Sequence, residues 1–395
     1  MLKNGRLFLP VLLLVAVPVV RAVYAPIPTQ EQGKALTVYL GGGAYYDTNI
    51  FGAASGEIDS LVCQFLPSLA FNASVGKQTF ASAAYRASLD YIANRPGKKL
   101  LDSHELAARL AHTFNPESEI DLSDSYQISK NPESLLPGVG TISGDQSYRR
   151  NQLDARFSLG LTRRTGLLFK MRQSTMAYEE SRLGDELDRS EWTAGVTAGH
   201  SLLPTLKASA EYRYQRIDYW TSGWFKDKQS HFLLAGTDWA LNSRVAASVR
   251  IGAEYRMRRS AHDIATPYAE IGVKRDYAKD SFVSVGYSYS LEETSGVQRF
   301  TDVAVNRLFV NWQHVLTPKL VGSALVDWDP SILQGRPGVS PNRNETNTRI
   351  GLTLTYRVLA NWSLSSSLDI DRIRSDEPGR GLSRERVGVS ARYAF

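Results

Sequence analysis

The amino-acid sequence predicts an all-β protein, a transmembrane antiparallel up-and-down β-barrel of about 18 strands. Three observations predict it. Segment after segment alternates apolar and polar residues, connectors alternate between short and long, and the chain ends on an aromatic residue in RVGVSARYAF. A period of two gives a strand two unlike faces. Strict alternation of connector length puts every tight turn at one end of the sheet and every loop at the other. That asymmetry describes an outer-membrane barrel with short periplasmic turns and long extracellular loops.

Taken in order, the N-terminus MLKNGRLFLPVLLLVAVPVVRAVYA joins a basic start (Lys3, Arg6) to the apolar run 7–20 and a Val20-Arg21-Ala22 cleavage site. Residues 1–22 are therefore expected to be a secretory signal peptide. Residues 23–35 form a short periplasmic segment, and 36–395 the barrel. The formal net charge is +6, and losing Lys3, Arg6 and Arg21 leaves +3, too little to suggest nucleic acid as a partner. Hydrophobic residues make up 43% of the chain. Beyond the N-terminal run nothing approaches the ~20 apolar residues of a spanning helix. The one cysteine, Cys63, allows neither an intramolecular disulfide nor a cysteine-based zinc site.

Strands are expected at 36–46, 61–75, 78–94, 102–114, 119–129, 148–163, 166–179, 190–201 and 205–218. The second half continues with 228–241, 244–257, 267–278, 281–292, 303–316, 319–329, 347–359, 361–372 and 384–395. LKASAEYRY (206–214) and TRIGLTLTYRV (348–358) carry the alternation most clearly. Tight turns are GK (76–77), RTG (164–166), LPT (203–205), NS (242–243), KDS (279–281), TPK (317–319) and AN (360–361). Longer loops separate them, chief among them 47–60, 130–147, 180–189, 219–227 and 330–346. The Gly- and Pro-rich loops 130–147 and 330–346 could fold inward as a constriction or stay on the surface. A β-propeller needs no alternation of loop length and a β-helix has shorter parallel rungs, so neither explains the pattern. Parity breaks at Asp124, which shares the apolar side of its strand, and between Gln215 and Ile217; bulges or loop-end positions would explain both. HFLLAGTDW is ambiguous in facing.

Hydrocarbon offers backbone groups no partner, so the sheet must close. Aromatic residues should mark two interfaces. Phe80, Phe114, Phe169, Trp239, Phe282, Trp312, Trp362, Tyr393 and Phe395 lie near short turns. Tyr45, Tyr46, Tyr91, Tyr126, Tyr178, Trp192, Tyr219, Trp220 and Trp328 lie near loops. A closing strand ending in Tyr393 and Phe395 resembles the C-terminal signal read by the barrel-assembly machinery. Expected partners are thus that machinery, periplasmic chaperones, and outer-membrane lipid with lipopolysaccharide.

The polar parity places Arg86, Arg109, Arg156, Arg172, Arg213, Arg250, Arg256, Arg349, Arg357, Arg386 and Arg392 on the inner face. Glu211, Glu254 and Asp369 share it. A Lys or Arg on the lipid face at mid-depth costs ~2–4 kcal/mol, so this many charges require a wet interior. An Arg-led lining favours anions or acidic sugars, although such charges also serve simply to hydrate the bore and pair across strands. Six histidines (104, 112, 200, 231, 262 and 314) fall in no HExxH pattern and no G-x-S-x-G elbow occurs. No enzyme activity, metal or cofactor is expected.

LTVYLGGGAYYDTNIF (36–51) resembles the opening of the β-barrel porin 2 family, outer-membrane barrels associated with exopolysaccharide biosynthesis operons. The likeness rests on the phrase Tyr46-Asp47-Thr48-Asn49-Ile50-Phe51, with Gly52 where the family often has Arg. It implies an outer-membrane channel for export of an exopolysaccharide or acidic sugar polymer, alongside polysaccharide synthesis and export proteins, and no catalytic residues. The residues alone leave two other readings open: a general diffusion porin, and a blocked barrel serving as a surface adhesion or structural protein. The side chains of Asp47 and Asn49 suit capping of backbone groups where the strand exits, or holding a cation or sugar.

Overall fold

A computed structural model describes residues 35–75, 77–129, 147–294 and 299–395. The expected signal peptide, the segment 23–34 and loop residues 130–146 lie outside the described residues.

Eighteen strands form one sheet. They are β1 (Leu36–Asp47), β2 (Ser60–Val75), β3 (Thr79–Ile92), β4 (Leu100–Asn115), β5 (Ser118–Ser129) and β6 (Tyr148–Gly160). Next come β7 (Thr165–Tyr178), β8 (Arg189–Leu203), β9 (Leu206–Tyr219), β10 (Lys228–Asn242), β11 (Val245–Arg258) and β12 (Ile264–Ala278). The last six are β13 (Ser281–Glu292), β14 (Phe300–Thr317), β15 (Leu320–Gly335), β16 (Arg343–Arg357), β17 (Trp362–Ser375) and β18 (Leu382–Ala394). Each pairs antiparallel with its sequence neighbours, and β1 pairs with both β2 and β18. No edge remains. Eighteen strands spaced ~4.8 Å and tilted ~40° give a backbone diameter of about 36 Å.

Ion pairs between non-neighbouring strands mark the inner face, because the concave side brings charged side chains together past an intervening strand. Lys170 on β7 bonds Glu211 on β9 at 3.2 Å, and Lys228 on β10 bonds Asp302 on β14 at 2.9 Å. The opposite parity carries the exposed apolar residues, among them Leu69, Ile251, Val285, Leu354 and Val389. Those side chains face lipid.

The aromatic expectation holds in part. Phe114, Phe169, Trp239, Trp362, Tyr91, Tyr126, Trp192 and Trp328 are exposed on the outer parity. Phe80, Phe282, Tyr45, Tyr178 and Tyr219 instead follow the inner parity; Phe282 lies beneath Lys274 Nζ at 4.9 Å. Five histidines join the outer face. Their Nδ1 atoms share hydrogen bonds with hydroxyls: His104 with Tyr85, His112 with Thr79, His200 with Thr165 and His231 with Tyr212 on the adjoining strand, and His314 of β14 with Tyr277 of β12, across β13.

Neither parity break is a bulge. The β5 and β9 ladders run without a register shift through Asp124 and through 215–217. Asp124 stands on the outer face, accepting a hydrogen bond from Asn151 Nδ2 at 2.8 Å. Ile217 stays on the inner face because loops dock there. Above the apolar band the faces exchange character: Val62, Ile92, Leu101, Ile217, Leu333 and Ile373 are buried inside, while Arg216–Asp218 and Arg372–Glu385 pair outside. The ambiguous β10 is apolar on both faces, with Phe232 and Leu234 buried and Leu233 70% exposed. The expected loop 330–346 is mostly strand, since β15 runs to Gly335 and β16 starts at Arg343.

The phrase at the exit of β1 closes the cylinder. Asp47 accepts hydrogen bonds from Arg384 Nε and Nη2 at 2.6–3.1 Å, with both side chains buried. Asn49 Nδ2 donates to the Ser383 and Ala53 carbonyls, Asn49 N–H to Asp47 Oδ1, and Asn49 Oδ1 accepts from Ala53 N–H. Tyr46 is exposed and bonds Asp59, whereas Phe51 packs on the Ile50–Val62–Ile92–Leu101 cluster. These contacts pin β1 to β18 beyond the last ladder bond. Arg384→Leu, which strands a buried carboxylate, should destabilise the barrel by about 3–5 kcal/mol. Asp47→Leu/Arg384→Leu should recover most of that loss. Heat-modified gel mobility across a temperature series measures both, and equal losses in single and double variants would refute the clasp.

Candidate functional site: the lumen and its two mouths

Most inner arginines are neutralised across strands. Arg86 pairs with Glu105 at 3.0 Å, Arg109 with Asp121 at 3.1 Å, Arg172 with Asp154 at 2.6 Å and Arg250 with Asp238 at 2.8 Å. Glu211 bridges Lys170 and Arg213, while Asp371 bridges Arg349 and Arg386. The expected Arg-led lining is therefore a lattice of pairs. Pairing of this kind keeps charged walls wet and rigid while cancelling much of their net charge.

Arg156, Lys207, Arg357 and Arg392 differ. Among the described residues none of the four has a carboxylate partner. The Arg392 guanidinium instead lies 3.8 Å from the Tyr39 ring centre. All four sit toward the short-turn ends of β6, β9, β16 and β18. The described turns at that end add Lys77, Arg163, Arg164, Arg244, Lys279 and Lys319 against Glu117 and Asp280. Glu119 is the one inner carboxylate near that end without a cation partner among the described residues. The short-turn mouth is a basic collar. Asp369 lies mid-strand on β17, over Gly351, with no ion pair among the described residues.

Glycines keep the bore wide. The ring tip of Phe309 sits over Gly286 and the Arg250 stem over Gly236, where a Cβ would overlap them. A large side chain laid on a cross-strand glycine covers its backbone without projecting into the lumen.

The opposite mouth is narrowed by structure the alternation pattern did not predict. A helix α1 (Ser181–Leu187) and a 3₁₀ turn (Ser222–Lys226) occupy the loops after β7 and β9. Leu183 and Leu187 pack with Tyr178 and Phe225. Thr221 and Ser222 hydroxyls donate to the Asp185 carbonyl at 2.6 and 2.8 Å. Beneath them lies a buried charge cluster that includes two of the expected residues. Arg256 bonds Glu254 at 2.7 Å and also Asp302, Lys228 bonds Glu293 at 2.6 Å, and Arg258 bonds Asp302 at 2.5 Å. Burial pushes the Glu293 carboxyl up, but Lys228 and Arg256 outweigh it and hold it below the usual range.

Lys226 sits 3.9 Å from the Tyr219 ring centre, and its Nζ has no hydrogen bond among the described residues. Burial, reinforced by Lys228 and Arg189, holds its pKa well below the ordinary lysine value of 10.5. The charge-cluster residues outside the parity list, Lys228, Arg258, Glu293 and Asp302, belong to strand ends and loops. Parity carries no information there.

No family model matches the chain, and no curated protein matches it. Solved structures do. Pseudomonas aeruginosa OccK2 (OpdF) in complex with glucuronate aligns at TM-score 0.52 and 10% identity, over 91% of this chain and 98% of that one. Pseudomonas aeruginosa OpdK with vanillate aligns at TM-score 0.52 and 10% identity, over 91% and 99%. The siderophore receptor PirA of the same organism aligns at TM-score 0.48 and 9% identity, over 92% and 80%. At these identities the likeness concerns the fold: this is a barrel of the outer-membrane type.

Two outcomes test the wall and the cap. Gly286→Val should push Phe309 into the bore and lower single-channel conductance, and Phe309→Ala in the same chain should restore it. Lys226 binds protons more weakly with the loop docked than undocked, so docking strengthens as pH rises from its depressed pKa towards 10.5. Protection factors for amide exchange in 222–226, taken relative to the intrinsic rate at each pH, should rise correspondingly over that window in the wild type. Lys226→Met should remove the dependence.

Proposed function

We propose that this chain is an outer-membrane channel that collects acidic sugar chains at its short-turn, periplasmic mouth and passes them outward, as in export of an acidic exopolysaccharide. The observation that carries the reading is the basic collar, ten cationic side chains (Lys77, Arg156, Arg163, Arg164, Lys207, Arg244, Lys279, Lys319, Arg357 and Arg392) confined to one end. Fields focused at a cleft mouth raise the local concentration and capture rate of oppositely charged solutes by 10-fold or more. The phrase YDTNIF and its resemblance to barrels of exopolysaccharide operons support the same reading, as does a similar fold described with glucuronate, a sugar acid. On this reading the loop cap throttles the outer mouth, polysaccharide synthesis and export proteins deliver the chain, and Tyr393 and Phe395 serve the assembly machinery.

A general diffusion porin is the second reading, favoured by the glycine positions that let large side chains settle against the wall. Planar-bilayer recordings separate the two. A uronic-acid oligomer added at the short-turn side should block the current at low salt, far more than from the loop side and far more than a neutral oligomer. Arg163→Glu/Arg164→Glu/Arg392→Glu should reduce the block on-rate at least tenfold. Equal block from both sides, or block insensitive to these changes, would leave the porin reading.

A further inference from the structure

The outer face of β5–β7 carries a polar patch. Between Leu122 and Tyr126 on β5 stands Asp124, bonded through Oδ1 to Asn151 of β6. In register beside them on β7 lie Gln173, opposite Leu153, and Thr175, opposite Asn151. Among the described residues, Asp124 is the only carboxylate on the outer face flanked on its own strand by apolar outer residues on both sides. Gln173 makes no hydrogen bond among the described residues. No bulge has rotated these side chains outward by accident, because the β5–β6 and β6–β7 ladders are unbroken. Hydrocarbon cannot satisfy a carboxyl and two carboxamides, and polar groups within a membrane span normally face protein or water.

We propose that this patch is where a second copy of the chain docks, forming a two-fold dimer through the outer faces of β5–β7. Its chemistry is self-complementary. Asn151 Oδ1 is an acceptor left open, the Asp124 carboxylate keeps acceptor capacity beyond its bonds from Asn151 Nδ2 and the Ser125 N–H, and Gln173 Nε2 is a donor left open. A two-fold axis brings the donor of one copy to the acceptors of the other, and a self-matching patch is what an isologous interface requires. Small outer residues lie within the patch, Ala108 on β4, Ala155 on β6, Ala177 on β7 and Ala194 on β8, among the larger Leu122, Tyr126, Leu153 and Trp192. Small residues let two membrane-embedded surfaces approach closely enough for hydrogen bonds to form between them.

The test uses the full mature protein in lipid nanodiscs and in mild detergent, with mass measured by native mass spectrometry and sedimentation. A concentration-dependent dimer is expected, and Asp124→Leu/Gln173→Leu should raise its dissociation constant on the order of tenfold to a hundredfold. That variant should keep the wild-type heat-modified mobility, which shows that the barrel still folds. In a Cys63→Ser chain, Thr175→Cys should form an oxidant-induced dimer, whereas Ile271→Cys, on the outer face of β12, should not. A wild type that stays monomeric overturns the proposal. So does a dimer unaffected by Asp124→Leu/Gln173→Leu, or cross-linking of Thr175→Cys to a different envelope protein.

Discussion

Every feature of this molecule follows from closing a sheet where no water can reach its backbone. An open edge of β1 would expose a row of N–H and C=O groups to hydrocarbon at several kcal/mol each. The β1–β18 ladder removes that edge, running from Tyr39–Ala394 to Asp47–Arg386. A seam between chain ends is nonetheless the only place where no covalent hairpin turn holds two neighbouring strands. The Asp47–Arg384 pair and the Asn49–Ser383 bond sit just there, buried, at the end where the last ladder bonds would otherwise fray. A charged pair buried this deeply contributes less to net stability than to defining one geometry. Holding a register is what this seam needs.

Closure also explains why the alternation is legible in some stretches and fails in others. Where lipid presses on one face and water on the other, side-chain polarity must follow a period of two, so all 18 strands could be read, most within a few residues. Near the loop end the surroundings reverse. Docked loops make the inner face dry and the outer face meets polar headgroups and solvent, so Ile217 inside and Arg216 outside invert the code without any slip in register. The same cause lengthened β14, β15 and β16 beyond their expected limits and hid α1. Short helical caps seven residues long or less have no periodicity to find.

The candidate site was legible as residue types and not as an arrangement. Parity located Arg86, Arg213, Arg349 and their fellows on the inner face, but which cations are neutralised depends on cross-strand neighbours tens of residues away. Arg156, for example, stands between Asp121 and Lys170 in the ladder, yet Asp121 is engaged by Arg109. Composition alone also conceals the collar, because its residues are scattered over separate turns and strand ends, nowhere more than two together. The turns become one surface only when the strands stand side by side.

The width of the bore decides what such a collar can discriminate. At physiological salt a wall charge is screened within about 8 Å, while a barrel of this strand number spans about 36 Å between backbones. A small ion on the axis therefore passes with little bias, and the paired lattice along the wall, with much of its charge cancelled, adds little to redirect it. A polyanion is different, because one chain touches several collar residues at once and each screened contact adds to the next. Weak individual attractions that sum along a chain select length and charge together. On the function proposed above, unpaired cations around a wide rim, instead of a narrow charged ring, would serve an acidic polymer far better than simple salts.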